Sequence, residues 1–356
     1  MNSPEAPDAR FRILSVDGGG IRGLISALVI AEIEARLSER VGPKTRMDEY
    51  FHLFAGTSTG GLISLALTAP SEVSAKDLAL FYTEDGPKIF GRGLWRELGT
   101  LWGLTRPKYS SGPLREAIGR RLGDSRVSEA TRDLLVTSYD MNKSEPYFFK
   151  RWRALESADR DFPIADPALA TSAAPTYFPS HGLGQRALVD GGVFAANPSV
   201  AAIAEALGRQ SDEPAKLEPD DLFLVSIGTG EFETGYTQAE VSKWGKLGWV
   251  AGGGDEPPIL GAVLGGASDG ADYWAHMLLN HSPGDDLPSA ATVGRGPRYF
   301  RLQVELPEPI AMDDAGKETL TVKLPEAAEQ LIEERGAEID EIVTKLIAAG
   351  PIPKSA

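Results

Sequence analysis

Apolar runs punctuated by glycine organise the first part of the chain. Phe11 to Val16 (FRILSV) has the length and character of a short buried strand. It leads directly into Asp17-Gly-Gly-Gly-Ile-Arg-Gly23, and apolar positions then recur at helical spacing from Leu24 to about Leu37. Gly42-Pro43 closes that unit. The pattern then repeats. Tyr50 to Ala55 predicts a second strand, Gly56-Thr-Ser-Thr-Gly60 a second glycine turn, and Leu62 to Leu67 a second helix. Two successive strand–turn–helix units predict an α/β fold whose central sheet is mostly parallel and flanked by helices.

Further on, Ala75 to Tyr82 and Gly112 to Leu122 predict helices, the second opened by Pro113. Asp133 to Tyr139 and Pro146 to Trp152 predict neighbouring strands, and Pro167 to Ala173 a helix closed by Pro175. Ala187 to Asp190 reads as a short strand ending in Asp190-Gly-Gly192. An Ala-rich helix from Pro198 to Leu207 follows, with Asn197 as its cap. Asp221 to Ile227 is a strong buried strand. Arg298 to Val304 alternates like a strand, and Pro325 to Leu346 predicts one long charged amphipathic helix. Gly86 to Gly103 and the Gly- and Trp-rich stretch Gly245 to Gly270 have no legible period. No internal repeat and no long linker divides the chain. It reads as a loose tail (1–10) and one domain (11–350), with a core over 11–230 and a C-terminal extension over 231–350.

Composition narrows the chemistry. The 356 residues carry 36 Lys and Arg against 51 Asp and Glu, a formal charge of −15. Such an acidic chain is not expected to bind nucleic acid. There is no cysteine, which excludes disulfides, a thiol nucleophile and thiolate-bound zinc. The four histidines form no metal-binding pair, so neither a metal nor another cofactor is expected. Neither a signal peptide nor a transmembrane run is apparent, and a cytoplasmic location is the expectation.

Three constellations carry chemistry. Gly56-Thr-Ser58-Thr59-Gly60 is a G-x-S-x-G pattern between a strand and a helix, the setting of a nucleophile elbow. Glycines two positions either side leave room for the turn, and the following helix aims its amides at developing negative charge. Gly18-Gly19-Gly20-Ile21-Arg22-Gly23 matches a dinucleotide fingerprint. No acidic residue ends a second strand at the required distance, however. Bare N–H groups at a helix start serve better as an oxyanion hole. The third is Asp190 before Gly191 and Gly192, an acid at a strand end. A serine nucleophile needs a base. His52 lies in a strand, His276 in an apolar segment and His281 in a polar loop, none within a motif. His181 stays open as an alternative, and Asp190 is the leading base.

Taken in order, DGGGIRG, GTSTG and DGG resemble the patatin-like phospholipases, which are lipid acyl hydrolases. Ala170-Thr-Ser-Ala-Ala-Pro-Thr-Tyr-Phe-Pro179 is similar to the family's segment before the aspartate. Ser226-Ile-Gly-Thr-Gly230, Gly235-Tyr-Thr and Met312-Asp-Asp-Ala315 resemble the plant patatins. The resemblance covers most of the chain and implies a three-layer fold in a single domain. It implies a Ser–Asp dyad without histidine: Ser58 as nucleophile, Asp190 as its partner, and Gly18 to Gly20 as oxyanion hole with Arg22 at the family's basic position and the Thr59 amide beside it. One departure is DGG where many members have DGA.

An ordinary aspartate titrates near 3.9, a poor match to a serine hydroxyl, so such a dyad depends on its oxyanion hole and on excluding water. The implied substrate is a phospholipid or glycolipid, cleaved through an acyl-enzyme to free fatty acid. Trp95, Trp102, Trp244 and Trp249 are candidates for peripheral membrane contact or for the core. Two rival readings come with the family: an antiviral effector switched on by a cyclic dinucleotide, and a non-catalytic lipid-binding protein.

Overall fold

In the computed structural model, β1 (Phe11–Val16) sits mid-sheet because both its faces are apolar. Leu14 and Val16 point into one helical layer and Ile13 into the other, all fully buried. The structure describes residues 9–71, 73–91, 106–209, 216–232, 235–251, 257–281 and 296–353. β1 pairs in parallel with β2 (Leu53–Gly56) on one side and β7 (Leu222–Ile227) on the other. β3 (Asp133–Asp140) extends the parallel run beyond β2, and β8 (Tyr299–Leu302) extends it beyond β7. The antiparallel pairs gather on β3, which takes β4 (Glu145–Lys150) and β6 (Arg186–Asp190). β6 in turn takes β5 (His181–Leu183), which completes a mixed eight-stranded sheet.

The way β3 shares its edges positions the site. β4 holds one edge from Leu135 to Asp140. The other edge is divided: β2 pairs with Asp133 to Val136, and β6 with Ser138 to Asp140. β2 runs parallel to β3 and β6 antiparallel, so the two run toward each other and their C-terminal ends meet at Thr137. There the Thr57 and Thr137 hydroxyls lie 2.7 Å apart.

Helices cover both faces. On one lie α1 (Gly23–Val41), α2 (Thr59–Thr68), α3 (Gly112–Leu122) and α4 (Ala165–Thr171). On the other lie α5 (Ser199–Gly208) and α6 (Pro258–Leu279), packed on Ile13, Leu53 and Leu224. Two C-terminal helices, α7 (Leu324–Glu334) and α8 (Gly336–Ala349), pack on α1.

Several expectations need correction. The long C-terminal helix is two helices, broken at Arg335, where Gly336 weakens the helix and Arg335 reaches the Arg301 carbonyl (3.0 Å) and Glu338. The strand expected through Trp152 stops at Lys150, and Arg151–Glu156 is helical. The helix from Ala75 does not stop at Tyr82. It passes through a π-turn, Phe81–Asp85, into Gly86–Ile89. β5 went unpredicted because three residues carry no period. The illegible Gly- and Trp-rich stretch contains helix Lys246–Ala251 and the start of α6. Trp95 and Trp102 lie outside the described residues.

Candidate active site

Ser58 stands at the sharp turn from β2 into α2, with φ 53° and ψ −121°, a left-handed backbone that a non-glycine residue adopts only under constraint. The constraint is close packing. A Cβ on Gly60 would lie 2.1 Å from the Val16 carbonyl oxygen, and one on Gly56 would lie 2.1 Å from the Gly60 carbonyl oxygen. The elbow is also tied from outside, because the Ser58 N–H donates to Thr171 Oγ1 of α4 at 2.8 Å.

Asp190 ends β6, the strand that meets β2 head-on. Its N–H donates to the Ala173 carbonyl at 3.0 Å. Its carboxylate accepts from the Gly192 N–H at 2.8 Å and lies beside the Ser58 side chain, both lining one cavity. The side chain is buried. Desolvation penalises the charged form and pushes its pKa up to about 7, against the opposing pull of Ser58 and of the Gly192 N–H.

The glycine loop lies on the other side of Ser58. The Gly18 N–H is taken, donating to the Ala196 carbonyl at 2.9 Å, while the Gly18 carbonyl accepts from Thr229 Oγ1 at 2.9 Å. Gly20 has φ 60°, and the next amide, Ile21 N–H, donates to the Met312 carbonyl at 2.8 Å. Among the described residues, the N–H groups of Gly19, Gly20 and Thr59 have no protein partner, and all three residues line the cavity that holds Ser58. Arg22 also lines it, its guanidinium 5.4 Å from the centre of the Phe232 ring. Gly23, Gly191 and Gly192 pack tightly: a Cβ on Gly23 would meet Thr59, one on Gly191 would meet Thr137, and one on Gly192 would meet Leu264.

Asp17, just before the loop, is buried and paired with the buried Arg301 of β8 at 2.6 Å, and Ser268 of α6 donates to it at 3.3 Å. Burial raises the Asp17 pKa, and Arg301 opposes that shift. Arg301, Thr171, Ala196 and the Met312 carbonyl all hold this site, and sequence reading found none of them in that role. They reach it through long-range contacts that leave no local spacing.

The cavity measures about 710 Å³. Its polar end is made by Ser58, Asp190 and the glycine loop. Leu62, Phe90, Leu114, Phe178, Phe232 and Leu264 give much of the rest an apolar wall, with Arg22, Glu231, Asp269 and Gln303 among its polar lining. No described histidine lines it. His52 is stacked on Phe11, its ring nitrogen accepts from the Arg12 N–H, and burial pushes its pKa down to about 3. His181 pairs with Asp166 at 3.0 Å, and His276 is buried in α6. Among the described residues no cluster of three or more histidine or acidic side chains is arranged to hold a metal ion.

Known proteins resemble the chain over most of its length. The family model "Patatin-like phospholipase" matches residues 14–203. The chain is 34% identical to "Patatin-like protein 1" of Oryza sativa subsp. indica, over 79% of this chain and 74% of that one. It is 30% identical to "Patatin-like protein 4" of Arabidopsis thaliana, over 93% and 86%. It is also 34% identical to "Probable inactive patatin-3-Kuras 1" of Solanum tuberosum, over 67% and 68%.

Proposed function

The chain belongs to the patatin-like phospholipase family, and from that premise we propose that it cleaves carboxylic ester bonds of glycerolipids with Ser58 as nucleophile and Asp190 as base. One feature carries the reading: a buried carboxylate shares a cavity with the elbow serine, and burial pushes its pKa up to about 7. An aspartate at its ordinary value would be a feeble base. One poised near neutrality is matched to proton transfer at working pH.

Ser58 Oγ attacks the ester carbonyl carbon as its proton passes to Asp190. The carbonyl electrons move onto oxygen, facing the N–H groups of Gly19, Gly20 and Thr59. Each such donor is worth about 2.7–4 kcal/mol in the transition state. Gly18 shapes this loop without donating to the oxyanion, because its amide is engaged. Collapse of the intermediate breaks the ester C–O bond, and the departing alkoxide takes the proton back from Asp190. Water then attacks the acyl-enzyme and gives a proton to Asp190; collapse of that second intermediate breaks the bond to Ser58 Oγ, Asp190 returns the proton to Oγ, and the fatty acid leaves. The apolar wall suits an acyl chain, since each buried methylene contributes about 0.8 kcal/mol.

The test is fatty-acid release from mixed phospholipid and galactolipid vesicles, run beside Ser58→Ala. The variant is expected to lose activity on the order of 10⁴-fold or more. Equal release by both would remove Ser58 from the chemistry. No release from either, with or without a cyclic dinucleotide, would leave a lipid-binding protein. Release only with the dinucleotide would make the enzyme a gated one.

A pH profile gives an independent check. Asp190 must be ionised to accept a proton, so kcat/KM on a soluble ester is expected to rise with pH and level off above about 7. A profile already flat from pH 5 would mean that the base is a group with an ordinary carboxylate pKa.

A further inference from the structure

Helix α6 is apolar on its solvent side as well as on its core side. In an ordinary surface helix the apolar stripe faces the core and the charges face water. Here Ala271, Ala275 and Leu279 are buried alongside polar partners, while Asp269 is exposed: Ser268 donates to Asp17, Asp272 accepts from the Tyr299 hydroxyl at 2.7 Å, and His276 is buried. The outward face runs through Ile259, Val263, Gly270, Trp274 and Leu278, which at 100° per residue fall within an arc of about 100° that contains no charged residue. Trp274 is 57% exposed. Helix Lys246–Ala251 adds Leu247, 82% exposed, and the exposed Val250.

The stripe does not stand apart from the cavity. On α6, Leu260, Leu264 and Ser268 line the Ser58 cavity, while Ile259, Val263 and Trp274 face solvent. On helix Lys246–Ala251, Trp249 lines the cavity while Leu247 faces solvent. Two separate elements therefore put one flank into the cavity and the other flank, apolar, into solvent.

We infer that this outer face of α6 and helix Lys246–Ala251 docks on a lipid surface of zwitterionic or neutral headgroups, and delivers lipid from that surface to the cavity mouth. The inference rests on the lipid-hydrolase reading. Continuity with the cavity identifies the occupant as the substrate's own aggregate. Charge identifies the headgroup: a chain of net charge −15 is repelled by an anionic leaflet, the α6 stripe itself carries no charge, and the single exposed Lys246 beside Val250 does not offset that excess. Apolar area entering the headgroup boundary supplies the attraction.

The experiment uses the full chain carrying Ser58→Ala, so that binding is read without turnover, pelleted with phosphatidylcholine vesicles and with phosphatidylserine-rich ones. Pelleting with phosphatidylcholine, weaker with phosphatidylserine, is expected. Adding V263E, W274E and L278E is expected to weaken binding about tenfold or more. None of these three residues lines the cavity. With Ser58 restored, the triple variant is expected to lose vesicle hydrolysis and to keep hydrolysis of a water-soluble short-chain ester within about twofold. Unchanged pelleting would overturn the inference, and so would parallel loss on the soluble ester. A parent dimer that the substitutions split would overturn it too, since a second copy would then cover the stripe. If no ester is hydrolysed by any form, the catalytic reading falls, and the pelleting result still decides the docking surface.

Discussion

Asp190→Asn is expected to be catalytically dead and, at pH 8, more stable than its parent. The loss of activity follows from removing the base, and is on the order of 10⁴-fold. The gain in stability follows from the same burial that makes the base useful. Asp190 has a folded pKa of about 7, against about 3.9 in the unfolded chain. Between those values the folded protein holds a proton that the unfolded chain has released. The parent's stability therefore falls as pH rises from about 4 to about 7, and stays lowered above that. A pKa difference of about three, at about 1.36 kcal/mol for each pH unit, gives a penalty on the order of 4 kcal/mol. Asparagine carries no charge to desolvate, and its side-chain oxygen can still accept from the Gly192 N–H. The two proteins should melt alike near pH 4 and separate progressively up to pH 8. Thermal melts at pH 4, 6 and 8 decide it. A gap independent of pH would mean that the Asp190 carboxylate is not desolvated, and the argument for a tuned base would go with it.

Gly60→Ala is expected to damage folding severely, although it adds only one methyl group. The new Cβ would meet the backbone carbonyl of Val16 at 2.1 Å. That carbonyl belongs to the central strand, so relief requires moving the start of α2, and with it the Ser58 elbow, off β1. A loss of at least about 3 kcal/mol is expected, at the upper end of overpacking effects. Gly119→Ala is the control. Gly119 lies inside α3 with nothing within 4 Å of a built Cβ, and alanine there should stabilise by up to about 1 kcal/mol. Urea melts of the two variants should shift in opposite directions, and a shared direction would contradict the packing described for the elbow.

The parts legible in the sequence were those with local causes. β1, β2 and β7 are apolar on both faces and stand next to glycine turns, so period and punctuation were enough. The serine elbow and the acid after a short strand likewise carried their own neighbours as signals. What escaped was non-local or inverted. Nothing near Gly18 announces that Ala196 will occupy its amide, and nothing near Asp17 announces Arg301. Helix α6 was illegible for another reason. Gly261, Gly265, Gly266 and Gly270 depress its helix propensity, and apolar residues lie also on the side where a surface helix normally carries charge. The C-terminal break at Arg335 depends on a tertiary bond to β8 that amphipathic spacing cannot reveal.

The meeting of β2 and β6 on one edge of β3 also bears on how the protein reaches its working form. Ser58 and Asp190 come from strands that approach Thr137 from opposite directions, and each depends on its own register with β3. A slip of either strand by one residue turns its side chains to the opposite face. Partly folded chains, with only one of the two pairings made, hold a serine or an acid and never the couple. Such long-range pairings close slowly, after local helices. Recovery of esterase activity during refolding should therefore lag behind recovery of helical signal, and mark the moment when the sheet has closed in register.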